Sequence, residues 1–321
     1  MNMFANLRPN QLGAISAMIA VFFFSVNDGA IKFLSGGYAL HEVVLIRSVI
    51  GLVILLVLIA PLTDGFAIFR TKRLGMHLIR GFCVVMANMT FFLGLAAMPL
   101  ADAVAIFFIS PLIITIFSVL FLGEHVGPRR WAAVIVGLIG VLIMMRPGTS
   151  SFQYASLLPV VAATAYAGLH MLTRLIGRTE SAATMAFYIQ IVFIVVCVII
   201  GLAVGDGRFG DQTDPSLKFL LRAWEWPVAA DFTLFILVGF GVAVGGYFIS
   251  QAYRVAEASM VAPFEYLALP LSVLWGILIF DEWPDVVSYL GMALILGAGL
   301  FIVWRESVTP GEPLQNPRVR R

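Results

Sequence analysis

The sequence predicts an all-α polytopic membrane protein, with ten transmembrane helices arranged as two inverted five-helix repeats. Three observations carry that expectation. Of 321 residues, 61% are hydrophobic and only 12% charged, too few charges to cover a soluble domain of this size. Apolar runs of about 20 residues recur along the chain, each long enough to cross ~30 Å of hydrocarbon as a helix. The second half of the chain also repeats the first. A membrane β-barrel would show weak alternation over ~10 residues per strand in place of continuous runs.

The runs cover residues 11–34, 41–60, 76–97, 102–122, 131–145, 154–176, 183–203, 230–252, 259–280 and 286–304. The first is too long for a signal-peptide core and holds Asp28 and Lys32 where a cleavage site would need small residues, so it is expected to remain as a span. Cys83 and Cys197 fall inside runs and read as small packing residues, with no disulfide framework and no metal site. The positive-inside rule orients the chain. With the N-terminus cytoplasmic, Arg70, Lys72 and Arg73, then Arg129 and Arg130, and the arginines of the tail all lie on the cytoplasmic side. Both termini are then cytoplasmic. Basic residues placed as topology signals give no reason to expect a nucleic-acid partner; membrane lipid is the expected surroundings.

The repeat is visible by eye. "PLADAVAIFFISPLIITIFSVLFLGEHVGPRRW" from Pro99 resembles "EASMVAPFEYLALPLSVLWGILIFDEWPDVVSY" from Glu257, pairing Glu124 with Glu282 and Phe117 with Trp275. A slightly different offset pairs Lys32 with Arg174 and Phe24 with Tyr166. Five spans per half is odd, so the halves cross the membrane in opposite senses, an arrangement that places a substrate site near midplane between them. The halves are residues 11–147 and 154–305, joined by the turn-rich "RPGTSSFQ" and followed by a polar tail at 306–321. Two readings stand for "LKFLLRAWEW" in the polar stretch before the eighth run: an interfacial segment or a plain loop. The Gly241–Gly245 spacing and the glycines near Gly297 and Gly299 read as close helix packing.

Ionisable groups within spans cost roughly 2.5–3.5 kcal/mol each on insertion scales and are functional hypotheses by default. Asp28 and Lys32 lie one turn apart and are expected to pair, with Asn27 beside them as a hydrogen-bonding side chain. Arg47 is expected to snorkel or to pair with Glu42 or Asp28. Arg80 and Asn88 share the third span; Tyr166, His170 and Arg174 form a stripe on the sixth; Tyr247 and Gln251 do so on the eighth. Glu265 lies between Pro263 and Pro270, which free backbone carbonyls inside a span and favour a cavity there. The candidate substrate-binding set is therefore Asn27, Asp28, Asn88, Tyr166, His170, Tyr247, Gln251 and Glu265. Of these, Asp28, His170 and Glu265 could carry a coupling proton, with Lys32, Arg47 and Arg80 in structural charge pairs.

These segments resemble the drug/metabolite transporter superfamily, specifically its ten-span EamA branch. "LAAMPLADAVAIFFISPLIITIFSVLFLGEHVGPRRWAAVIVGLIGVLIMMRPG" and "QAYRVAEASMVAPFEYLALPLSVLWGILIFDEWPDVVSYLGMALILGAGLFIVWRE" carry the likeness most strongly. "NDGAIKFL", "IRSVIGL" and "HLIRGF" support it. The resemblance implies a secondary carrier of a small organic solute in a bacterial inner membrane, working by alternating access. It also implies a range of cargoes: amino acids, riboflavin, S-adenosylmethionine and drugs.

No zinc pair, nucleophile elbow or phosphate loop is present in the sequence, so no catalytic residue and no cofactor is expected. A non-transporting receptor or assembly subunit is the competing class, but polar stripes spread over both halves favour a carrier. An amino acid would need a facing acid and base, for which Glu265 and Arg80 are available. A planar heterocycle would need rings to stack on and amide partners, for which Tyr166, Tyr247, Asn88 and Gln251 are available. The resemblance leans toward the heterocycle, such as riboflavin or S-adenosylmethionine; an amino-acid or drug exporter is the alternative.

Overall fold

The computed structural model describes residues 9–62, 65–122, 127–149, 153–176, 181–255, 261 and 264–308; the side chains of His170 and Arg174 lie outside the description. Among the described residues there is no strand. The helices are α1 (Pro9–Leu34), α2 (Leu40–Ile54), α3 (Leu74–Ala97), α4 (Leu100–Phe107), α5 (Ser110–Leu122) and α6 (Pro128–Met145). After the join come α7 (Leu157–Ile176), α8 (Ala182–Val204), the short α9 (Pro215–Leu221), α10 (Phe232–Val255), α11 (Ala268–Phe280) and α12 (Val286–Val308).

Six described stretches are long and apolar enough to cross a membrane: Gln11–Leu34, Leu40–Leu58, Leu74–Ala97, Leu100–Phe121, Ala183–Val204 and Phe232–Ile249. The other four apolar runs coincide with shorter apolar helices, at Trp131–Met145, Tyr154–Leu169, Ala268–Phe280 and Val286–Ile302.

The fourth run is not one helix. It breaks at Phe108–Ile109, and the ninth breaks likewise at Tyr266–Leu267. Proline is the cause in both. Pro111 and Pro270 lack the N–H that would bond the carbonyls of Phe107 and Tyr266, four residues back. Tighter bonds take over, from the Ile109 N–H to Ile106 O (3.1 Å) and from the Leu269 N–H to Tyr266 O (3.1 Å). The register that pairs Glu124 with Glu282 also pairs Phe108 with Tyr266. Their rings stack, with centroids 4.9 Å apart and an interplanar angle of 29°.

Packing pairs the helices in a regular way. The most extensive contacts run between α1 and α10, between α6 and α12 and between α3 and α7; α2 lies on α8. Further contacts join α2 to α10 and α3 to α8, and α1 to α11 and α5 to α7. The α1–α10 approach depends on the predicted small residues. A Cβ on Gly245 would come within 2.7 Å of the Phe24 ring, and one on Gly241 within 3.4 Å of Phe23 O. Of the later pair, Gly297 faces open space, whereas a Cβ on Gly299 would overlap the Tyr266 hydroxyl.

The "LKFLLRAWEW" segment contains a short helix that docks on the protein. Asp214 caps α9, Phe219 is buried, and the Ser216 hydroxyl donates to Leu93 O on α3 (2.7 Å). Trp226 just beyond it is 89% exposed.

Candidate functional site

The expected Asp28–Lys32 pair does not form. Lys32 reaches past the end of α1 to Glu282, with Nζ–Oε1 at 2.7 Å, and also donates to Met98 O at 2.6 Å. Glu282 is delivered by the end of α11. Asp281 adopts a left-handed φ of 54°, and the Glu282 N–H turns back onto Gly276 O (3.0 Å). The second carboxylate oxygen, Oε2, accepts the Leu100 N–H at 2.9 Å and so satisfies a free donor at the start of α4. One carboxylate thus ties α1, the α3–α4 link and the α11–α12 link together. Distance along the chain hid this partner from the sequence reading, which looked only one turn away.

Asp28 instead lies beside Asn27, whose Nδ2 donates to Asp28 Oδ1 across 3.4 Å. Asn27 is buried and its Oδ1 has no hydrogen-bond partner among the described residues. Arg47 does not snorkel, being 2% exposed, and it forms no ion pair among the described residues. Glu42, its other expected partner, accepts the Glu225 N–H at 3.3 Å. The Arg47 guanidinium rests against the rings of Phe92 and Phe193, each 5.2 Å from its central carbon. Asp28 acts on it electrostatically without touching it.

The other candidates fall into two further groups. Tyr166 packs on Phe107 (5.2 Å between centroids) and lies within electrostatic reach of Glu265, which also acts on Tyr266. These residues gather at the two helix breaks. Tyr247 and Gln251 line a small, mostly apolar cavity of ≈ 190 Å³ between α1 and α10, with Leu12, Ile15, Ser16 and Ile19. Asn88 is turned onto its own helix, donating to Val84 O (3.1 Å), and Arg80 donates to Met185 O on α8 (3.3 Å). The His170 side chain and Pro263 lie outside the description. The predicted residues therefore form three clusters, not one. The sequence reading missed Phe92, Phe193 and Phe108 and did not connect Glu282 to Lys32; Phe108 had a signal through its register with Tyr266, and Glu282 through its register with Glu124.

Polar contacts outside the spans gather at the Lys32–Glu282 end. The Tyr38 hydroxyl donates to Asp231 (2.8 Å) and accepts the Val228 N–H (3.0 Å), while Arg222 donates to Ser35 O (3.3 Å). Burial, then the Asp231 carboxylate, pushes the Tyr38 phenol up. Arg146, at the end of α6, bonds Asp285, which also accepts the Ser288 N–H. The Arg146 hydrogen bond first, and that N–H second, hold the Asp285 carboxyl at about 2.

Interrupted apolar helices meeting at their breaks, with buried polar groups between them, define the class: a polytopic helical transporter. The EamA-like transporter family profile matches residues 11–146. A riboflavin transporter of Rhizobium johnstonii is 34% identical over 75% of this chain and 74% of its own length. One from Vibrio cholerae is 31% identical over 92% and 94%, and an S-adenosylmethionine uptake transporter of Rickettsia prowazekii is 27% identical over 88% and 89%. A solved crystal structure shares the fold at a TM-score of 0.64 and 18% identity, covering 93% of this chain and 99% of its own. The chain belongs to the EamA-like transporter family. It is a multi-pass inner-membrane protein that transports a small metabolite.

Proposed function

We propose that the protein carries a planar heterocyclic metabolite, riboflavin foremost, by alternating access between two inverted five-helix halves, residues 11–147 and 154–305. The observation that carries the substrate is the likeness to riboflavin transporters along nearly the whole chain. The packing pairs support the two-fold arrangement: exchanging the halves turns α1–α10 into α7–α3, and α2–α10 into α8–α3. The paired helix breaks support it independently. Both termini are cytoplasmic in this reading, which puts the Lys32–Glu282 end outside and makes this the outward-closed conformation. Asp28 and Glu265 are the proton-coupling candidates, and Asn27, Tyr166, Tyr247 and Gln251 face the substrate at successive stages.

Thermal unfolding of the purified protein against riboflavin, S-adenosylmethionine and aromatic amino acids tests the substrate, since a ligand that binds the folded state stabilises it. Stabilisation by riboflavin, matched by flavin uptake into proteoliposomes, is the expected result. A shift with aromatic amino acids alone refutes the heterocycle. Asp28→Asn is expected to impair uptake while leaving the unliganded melting temperature unchanged; normal uptake removes Asp28 from the coupling set.

A further inference from the structure

Arg47 is a buried cation with donors to spare. Its side chain is 2% exposed, its Nε has no hydrogen-bond partner among the described residues, and no carboxylate lies within ion-pair distance. Two phenyl rings compensate only in part, at about 0.5–2 kcal/mol each. A buried guanidinium ordinarily has its five N–H groups taken up by carboxylates, carbonyls or water. An unpaired acceptor also stands on α1, next to Asp28, which acts electrostatically on Arg47. Asn27 Oδ1 is orphaned on α1, and a Cβ on Gly241 would lie 3.9 Å from the Asn27 Cβ. Two residues along the same helix, a Cβ on Gly239 would lie 3.3 Å from Arg47 O. Helices of both halves, α2 and α3 with α8 and α10, therefore meet around a guanidinium that has unmet donors and two apolar ring faces.

We propose that Arg47 is the specificity-determining residue of the carrier: its planar fork receives a pair of acceptors on the edge of the heterocycle, with Phe92 and Phe193 as the apolar walls. The fork matches two acceptors held in one plane, as in a ring nitrogen beside a ring carbonyl. The site is shut in this conformation and is reached when the halves part, the motion that alternating access supplies. This inference rests on the substrate reading above.

The test compares riboflavin with 1-deazariboflavin, which lacks the N1 acceptor, by titration calorimetry on purified wild type, Arg47→Met and Arg47→Lys. Wild type should favour riboflavin by roughly 10-fold or more, the worth of a hydrogen bond to a charged donor. Arg47→Met should bind both flavins equally and, without ligand, unfold no earlier than wild type, because a well-packed apolar residue tolerates that site better than an unpaired charge. Arg47→Lys keeps the charge but loses the fork, and should lose most of the preference; it serves as the test should Arg47→Met fail to fold. Undiminished preference in either variant overturns the assignment and leaves the substrate reading standing. A wild type that binds riboflavin without distinguishing the deaza analogue overturns it as well. A wild type that binds neither flavin overturns the substrate reading and this inference with it.

Discussion

The described contacts at the two ends of the bundle differ in kind. At one, Lys32, Glu282, Met98 and Leu100 form a single knot, and the Tyr38–Asp231 and Arg146–Asp285 contacts lie on the same side. At the other, the described contacts join α3, α8 and the link between α2 and α3: His77 stacks on Tyr188 at 4.8 Å, and the Tyr188 hydroxyl donates to Phe69 O at 3.0 Å. The first end closes across the chain with ions. Among the described residues, the contacts at the second are rings and single hydrogen bonds within one group of neighbours. The lesson is that closure and packing are separate tasks here. At the first end, ion pairs join elements that are far apart along the chain.

Breaking the knot should have the largest effect. Glu282→Gln leaves Lys32 mostly buried without a counter-charge and weakens the cap on α4, so a loss on the order of 3 kcal/mol is expected, with transport reduced more than tenfold. Thermal unfolding and uptake read the two effects, and a Lys32→Glu/Glu282→Lys exchange should recover part of the stability. If Glu282→Gln transports normally, the ends are not functionally different.

The helix breaks between the two ends give the next effect. Gly299→Ala places a methyl group on the Tyr266 hydroxyl and should cost about 1–3 kcal/mol as overpacking. Tyr266→Phe removes a hydroxyl that has no partner among the described residues, so alone it should be near neutral, and combined with Gly299→Ala it should relieve most of the loss. Non-additive melting temperatures confirm the contact. Additivity refutes it.

Two smaller changes sharpen the picture of the strapped end. Tyr38→Phe removes the hydroxyl that bridges Asp231 and Val228, for about 1–2 kcal/mol. Asp285 tests pH. Its carboxyl is held at about 2, below the usual 3.8, so its stabilisation is complete above pH ~4 and lost as pH falls toward about 2. Because Asp285 is 52% exposed, the loss should stay below about 1 kcal/mol, and should be absent in Asp285→Asn.

Much of this fold was legible in the sequence. The apolar runs located the helices because a span must satisfy its own backbone, and that requirement acts along the chain. The Gly241–Gly245 spacing anticipated the α1–α10 approach for the same reason. What was not legible acts across the chain. Lys32 had Asp28 one turn away and Glu282 far off in sequence, and only the fold shows that the distant acid is the nearer one. Arg47 was expected to snorkel or to find an acid, as arginine in a span usually does; that it rests on Phe92 and Phe193 could not be told among so many phenylalanines. The break at Phe108 was overlooked because Pro111 stands in a run otherwise so apolar that continuity looked secure.

The stacked pair at those breaks carries a last consequence. Phe108 and Tyr266 are counterparts in the internal register, so each meets its own duplicate, as residues do on the axis of an isologous dimer. Whatever stands at such a position must be complementary to a near copy of itself, and flat rings satisfy that where a charge could not. The contact is therefore shared: a change of size or charge at Phe108 is felt directly at Tyr266, and the reverse.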